Sequence, residues 1–491
     1  MSEFDNLSGF FSSLQRSYCK SFTDCGIAYL YHFEYQILPQ ITNGAANTRE
    51  MAKIPSKIIS LILRTLLALI VSTPFIILLL AIQTGPTVSY SDPLRPSELS
   101  QIEGLILESV PISPSIASRQ QLRLNPHELN LLLRYSGDVM NLSPNWAAQM
   151  QLYEQSVRSQ VSVKISDSIQ PLYFNIAAEL RTESNVLKLT SLSFGNLQIP
   201  QQLLNFTLIR LRSRLQSSIP PFQDLSQLMA SVRNVSITPE WLDVDLLWDP
   251  ILISRLANGA KRFFISDQDQ QRIIHYHQII TEVADAIPVD IRAVSLNTFL
   301  IPLFTSARER SRVSGNPIAE NRAIFQTLAT YVNEEGIEQL LSDAVANTIG
   351  EAKFIEIRLQ RRQDLAQHLV SIAAITASAG ADFAELLSTT KEAYDARYRS
   401  GFSFSDLTAN SVGVAISHHA TKDSASAIRM QERIISIQNE ADYMPEVGNN
   451  RDGLSESDFN ALYQDRNSTQ YQERLSEIQK LINERPLFTG F

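Results

Sequence analysis

The sequence predicts an α+β fold carried on a single transmembrane helix: an antiparallel-sheet α+β domain, then an all-helical domain. Three observations carry the prediction. One run, 58–82, is apolar enough to span a bilayer. Apolar and polar residues alternate in short runs between about 160 and 248. From about Ser266 onward the apolar period is helical. With 491 residues, 44% hydrophobic and 19% charged, the chain has ample material for a core, which excludes a disordered protein. A net charge of −9 and a pI near 5.4 argue against a nucleic-acid partner. The sequence holds no GxGxxG, P-loop or HExxH motif.

The apolar run reads IISLILRTLLALIVSTPFIILLLAI. Arg64 is its single charge and sits close enough to the N-terminal end to snorkel to headgroups. Pro74 is tolerated in a spanning helix. Arg49, Lys53, Lys57 and Arg64 crowd the N-terminal side, whereas the first charge beyond the run is Asp92. The positive-inside rule therefore places residues 1–57 in the cytoplasm and the chain beyond about Thr84 on the other side of the membrane. Six Lys/Arg and five Asp/Glu precede residue 84, leaving 36 and 46 beyond it, so the outer part is acidic. Both cysteines, Cys19 and Cys25, precede the run and are expected to be free cytosolic thiols. The aromatic series Tyr29, Tyr31, Phe33 and Tyr35 in that arm is a candidate surface for the membrane or a partner.

Residues 83–118 are rich in Pro and Ser and read as a juxtamembrane stalk with a short amphipathic segment. Asn125-Pro126-His127-Glu128 is a helix start, with Asn as N-cap, Pro at the first position and an acid in the first turn. Alternation follows at Val161, Val163 and Ile165, at Leu172, Phe174 and Ile176, and at Val232, Val235, Ile237, Val244 and Leu246. This gives one antiparallel sheet over 119–255, interrupted by an amphipathic helix after Pro200. The helical domain covers 256–440. Ser266 or Asp267 caps its first helix, Asn316-Pro317 opens another, and further helices cover 365–379, 383–398 and 406–418, the last capped by Ser405. Residues 441–491 read as a polar tail ending in an amphipathic helix, 471–482.

Two resemblances rest on these residues. HELNLLLRY, NVLKLTSLSFGNLQIP with its turn Gly195-Asn196-Leu197-Gln198-Ile199-Pro200, and ITPEWLDVDLLW together resemble the YpmS-like envelope domains over 124–249. Residues 364–419 are similar to the YfiM-like lipoproteins and, more distantly, to VanZ-like proteins. The matching positions are Asp364, His368, Lys391, Glu392, Asp395, Ser400-Gly401-Phe402-Ser403-Phe404, Asp406, Asn410 and Gly413. The resemblances imply a membrane-anchored envelope protein of Gram-negative bacteria and imply no reaction.

Read from the residues themselves, Asp364/His368, Lys391/Asp395 and Asp406/Asn410 are three polar pairs at i,i+4, each stacked on one helix face. Residues 369–381 carry no charge, so the helix bearing His368 is buried and its polar groups need partners. His368, Asp364, Lys391, Glu392 and Asp395 form the candidate catalytic cluster, with His368 as acid or base and Glu392 or Asp395 orienting it. Asp406 and Asn410 are candidate binding residues. A metal centre of one His with carboxylates, suited to Mn, Fe or Zn, is an open alternative; no metal ligand and no cofactor is assigned. The competing reading is a structural network in which Asp364 and Asp406 serve helix N-termini and Lys391–Asp395 is an ion pair. His275 and His277 cannot share a face and are expected at the surface, and Glu320-Asn321-Arg322 is expected to cap and pair. The leading expectation for function is a non-catalytic scaffold or accessory protein of the envelope. Its partners would be the bilayer and an envelope protein or amphipathic ligand. The alternative is an envelope hydrolase or lyase acting on a glycan or lipid through His368.

Overall fold

The computed structural model describes residues 64–65, 68, 72–73, 79–90, 94–139, 145–166, 170–183, 186–204, 220–253, 255 and 265–491. The chain divides into two compact units, Met1–Phe75 and Ile76–Phe491. The arm 1–57, with Cys19, Cys25 and its aromatic series, and most of the predicted span lie outside the described residues. Among the described residues no helix is long and apolar enough to cross a membrane.

The second unit opens with β1 (Ile82–Gln83), α1 (Pro96–Ser109), β2 (Ser118–Leu124) and α2 (Pro126–Val139). The strands β3 (Trp146–Tyr153), β4 (Ser156–Ser166), β5 (Leu172–Glu183), β6 (Val186–Phe194) and β7 (Leu197–Gln198) follow. After α3 (Pro220–Ser231) come β8 (Val232–Ile237) and β9 (Leu242–Trp248). Alternation in the sequence yields antiparallel pairing throughout this part, but in two sheets rather than the one expected. Strands β3 to β7 run in order, with β1 added on β5, and β2-β9-β8 form a separate three-stranded sheet. The two sheets share a core around Leu152, Val157, Val235 and Ile237. They are also tied by the Gln155 amide, which donates to Ile237 O at 3.1 Å from a left-handed turn (φ 58°). Strand β2 escapes a periodicity search because SRQQLRL carries so few apolar residues.

One expectation fails because the segment's partners lie far away in sequence. The segment read as a stalk is folded. Its first residue, Gln83, pairs with Tyr173 of β5. Thr87 and Val88 amides donate to Ser162 Oγ at 3.0 Å each, and Asn175 Nδ2 donates to Gly85 O at 2.9 Å. Helix α1 buries Ile102 with Leu131, Tyr135 and Leu386. Ile82, the last residue of the predicted span, is the first residue of β1.

The helical part contains α4 (Asp267–Ala286), β10 (Ala293–Ser295), α5 (Asn297–Ser314), α6 (Pro317–Val332), α7 (Asp343–Ala346) and β11 (Glu356–Arg358). It continues with α8 (Gln363–Ala379), α9 (Ala381–Tyr398), α10 (Phe404–Thr421), α11 (Ser424–Ile435), α12 (Glu456–Tyr463) and α13 (Thr469–Asn483). It is not all-helical, because β10 and β11 pair in parallel. Ser266 and Asn316 cap α4 and α6 as expected. The supposed polar tail is core: Tyr443, Met444, Phe459, Tyr471, Ile478 and Ile482 join the same apolar cluster as Ile273 and Leu369. Tyr443, Met444 and Phe459 are widely spaced among polar residues and escaped notice, whereas the terminal amphipathic helix expected over 471–482 is present as α13.

Candidate functional site

Helices α8, α9 and α10 carry the polar pairs. Gly380, at φ 93°, ends α8 and leads directly into α9. Gly401, at φ 92°, turns the chain toward α10, and a Cβ there would lie 2.4 Å from Gly453 C. Only glycine allows that turn. Ser403, not Ser405, is the N-cap of α10, accepting from the Asp406 amide at 3.0 Å. Ser405 is instead fully buried, and its amide donates to Asp452 Oδ1 at 2.9 Å.

The structure brings His368, Asp406, Asn410 and Glu392 together across three helices. Asp406 and Asn410, one turn apart, grip the two ring nitrogens of His368: Nδ1 lies 3.1 Å from Asn410 Oδ1 and Nε2 lies 3.3 Å from Asp406 Oδ2. Asp364 does not bond His368. It takes Arg362, whose Nη2 donates to Asp364 Oδ2 at 2.6 Å and to Asp406 Oδ1 at 3.2 Å. The Arg362 Nη1 reaches Asp452 Oδ2 at 3.2 Å. Lys391 donates to Asp395 Oδ2 at 2.8 Å, the intrahelical pair expected from the spacing. One atom each of His368, Glu392 and Asp406 lies within 4.8 Å of the other two, so the metal alternative has a specific candidate ligand set where the sequence assigned none.

Glu392 stands out energetically. It is 1% exposed. Its Oε2 accepts from the Ser403 amide at 3.1 Å, while Oε1 has no hydrogen-bond partner and sees only Lys391 Nζ, at 3.7 Å. Burial raises its pKa to about 7, against the pull of Lys391 and with the push of Asp406. Burial also opposes ionisation of Asp364, but the hydrogen bonds and charge of Arg362 outweigh it and hold that carboxyl below its ordinary value. Lys391 is raised because Asp395 and Glu392 outweigh its desolvation.

Glu320 shows what a purely structural buried acid looks like. It is 0% exposed, yet Arg272 Nε (3.2 Å), Arg310 Nε (2.8 Å) and Tyr276 Oη (2.7 Å) satisfy both oxygens. The capping and pairing role expected for its neighbourhood is what the contacts give: Asn321 Nδ2 donates to Ala420 O at 2.8 Å and Arg322 Nε to Ala377 O at 3.0 Å. Of the two α4 histidines expected at the surface, His277 is buried and His275 is partly exposed. His277 is buried with Nε2 3.0 Å from Gly350 O, and His275 Nε2 meets Ser306 Oγ at 2.8 Å.

Sequence reasoning missed Arg362 and Asp452, and it had Ser403 only as a motif position, not as the cap of α10. Arg362 precedes Asp364 by two residues, which was a usable signal; Asp452 joins from a loop some 50 positions beyond α10's start and left none. A cavity of about 210 Å³ lies elsewhere, between Leu107, Phe402, Phe459, Arg397, Glu456 and Arg466, and no member of the His368 cluster lines it. No protein family, curated protein or solved structure matches this chain.

Proposed function

We propose that the chain is a single-pass envelope protein, anchored in the inner membrane by its apolar run with the folded part in the periplasm. It works as a scaffold or accessory protein that binds a protein partner or an amphipathic ligand. The supporting observation is position in the sequence: Ile82, the last residue of the apolar run, opens β1, and residues that follow are bonded to Ser162 and Asn175. The sheet end that receives β1 carries Trp146, Lys164 and Tyr173, with Ile165 54% exposed. Aromatic and lysine side chains of this kind favour the headgroup layer. The YpmS-like and YfiM-like resemblances point the same way. Membrane fractionation tests it: the chain should sediment with membranes, resist alkaline carbonate and enter solution only with detergent. Recovery in the soluble fraction would reject the reading.

The convergence of the polar pairs favours a second reading, an envelope hydrolase or lyase acting on a glycan or lipid through His368. Lys391 and Asp364 side chains are 50% and 49% exposed, so solvent reaches the cluster's edge. His368→Ala separates the two. The scaffold reading expects a lower melting temperature and no specific biochemical defect. A stably folded variant that loses function supports the enzyme.

A further inference from the structure

We propose that His368, Glu392 and Asp406 bind a divalent transition ion of the manganese(II) or iron(II) class, with Asn410 orienting the imidazole. Three observations carry this. The candidate ligand atoms come from three separate helices and lie within 4.8 Å of one another. Glu392, a member of that cluster and 1% exposed, keeps its Oε1 without a hydrogen-bond partner. The third observation is the environment of the histidine. His368 stands between two polar groups, with Nδ1 3.1 Å from Asn410 Oδ1 and Nε2 3.3 Å from Asp406 Oδ2. A positive centre at Nε2, a proton or a metal ion, satisfies that contact with the carboxylate. A histidine held through its second nitrogen by an oxygen acceptor is the usual outer-shell arrangement of a metal site.

The surrounding charge suits a cation. Asp364, Asp395 and Asp452 join the two carboxylate ligands, against the permanent charges of Arg362 and Lys391. Lys391 is half-exposed and bonded to Asp395, so it can withdraw toward solvent as an ion arrives at Glu392. One imidazole with two carboxylates favours manganese, iron or zinc over calcium. Ligand distances of about 2.0–2.2 Å bring neighbouring donor atoms to roughly 3 Å, a closure of about 1–2 Å within reach of the carboxylate side-chain torsions. The inference depends on neither the membrane reading nor the catalytic one.

The test uses the untagged full chain in detergent, stripped with EDTA and titrated with Mn²⁺, free ion being read by electron paramagnetic resonance. Manganese avoids the thiols of Cys19 and Cys25, which would take zinc. One ion per chain is expected, together with a rise in melting temperature. His368→Ala and Glu392→Gln should each weaken binding at least tenfold, and Asn410→Ala by about tenfold. Asp290→Asn, at an exposed acid in the loop between α4 and β10, should leave binding unchanged. Glu392→Gln keeps side-chain volume, so its folding by circular dichroism secures the comparison if the histidine variant does not fold. Failure to saturate at one ion per chain, or equal binding by wild type and Glu392→Gln, would overturn the proposal.

Discussion

Gly413 lies in α10 where that helix crosses α8, and a Cβ there would stand 2.3 Å from Leu369 O and 3.3 Å from Ala373 N. Comfortable carbon–oxygen contact begins near ~3.3 Å, so Gly413→Ala forces the helices apart by about 1 Å. The obstructing atoms are backbone, so no rotamer change relieves the overlap. Overpacking costs about 1–3 kcal/mol and a rigid contact belongs at the upper end. Better helix propensity returns about 1 kcal/mol. The net expectation is a loss of about 2 kcal/mol in urea unfolding, with the m-value unchanged. Gly104→Ala is the matched control: it sits inside α1, nothing lies within 4 Å of its Cβ, and it should stabilise by up to ~1 kcal/mol. Because Gly413 is one turn from Asn410, the first variant should also shift the His368 ring resonances, and the control should not. If Gly413→Ala proves as stable as wild type, or if both substitutions move stability in one direction, the helix-crossing argument fails.

Glu320→Ala leaves Arg272 and Arg310 without their shared carboxylate and should cost about 3–5 kcal/mol by chemical denaturation, without changing Mn²⁺ binding. In EDTA, Glu392→Gln should exceed wild-type stability by about 1–3 kcal/mol at pH 8, and the gain should vanish by pH 4. The sign follows from a pKa raised from 4.5 to about 7: between those values the folded state holds more protons than the unfolded, so wild-type stability falls as pH rises. A gain that is independent of pH would contradict this. Asn175→Ala removes the hydrogen bonds to Gly85 O and the Thr87 amide, so limited proteolysis should cleave near residue 87 sooner than in wild type, while the α8–α10 core stays protected.

The sequence revealed local features better than distant pairings. Asn125, Ser266 and Asn316 announce their helices because capping chemistry acts within three residues. The spacing of Asp406 and Asn410 placed both on one face, and that face holds His368. What stayed hidden depended on long-range partners. Arg466 of the supposed tail pairs with Glu103 of the supposed stalk, and Tyr394 Oη donates to Pro111 O at 3.0 Å. No periodicity reports such contacts. Gly413 was visible as part of a motif, but its reason, the backbone of Leu369 opposite, appears only once α8 and α10 are packed.

The cysteine distribution provides the most direct measurement of the account's central claim, the sidedness of the chain. Cys19 and Cys25 are the chain's two cysteines, both on the N-terminal side of the apolar run, and Val313 is 91% exposed in the folded part. In intact spheroplasts carrying Val313→Cys, a membrane-impermeant maleimide should react at position 313 and spare Cys19 and Cys25 until the cells are lysed. Labelling of Cys19 or Cys25 before lysis, or protection of position 313 until lysis, would contradict it.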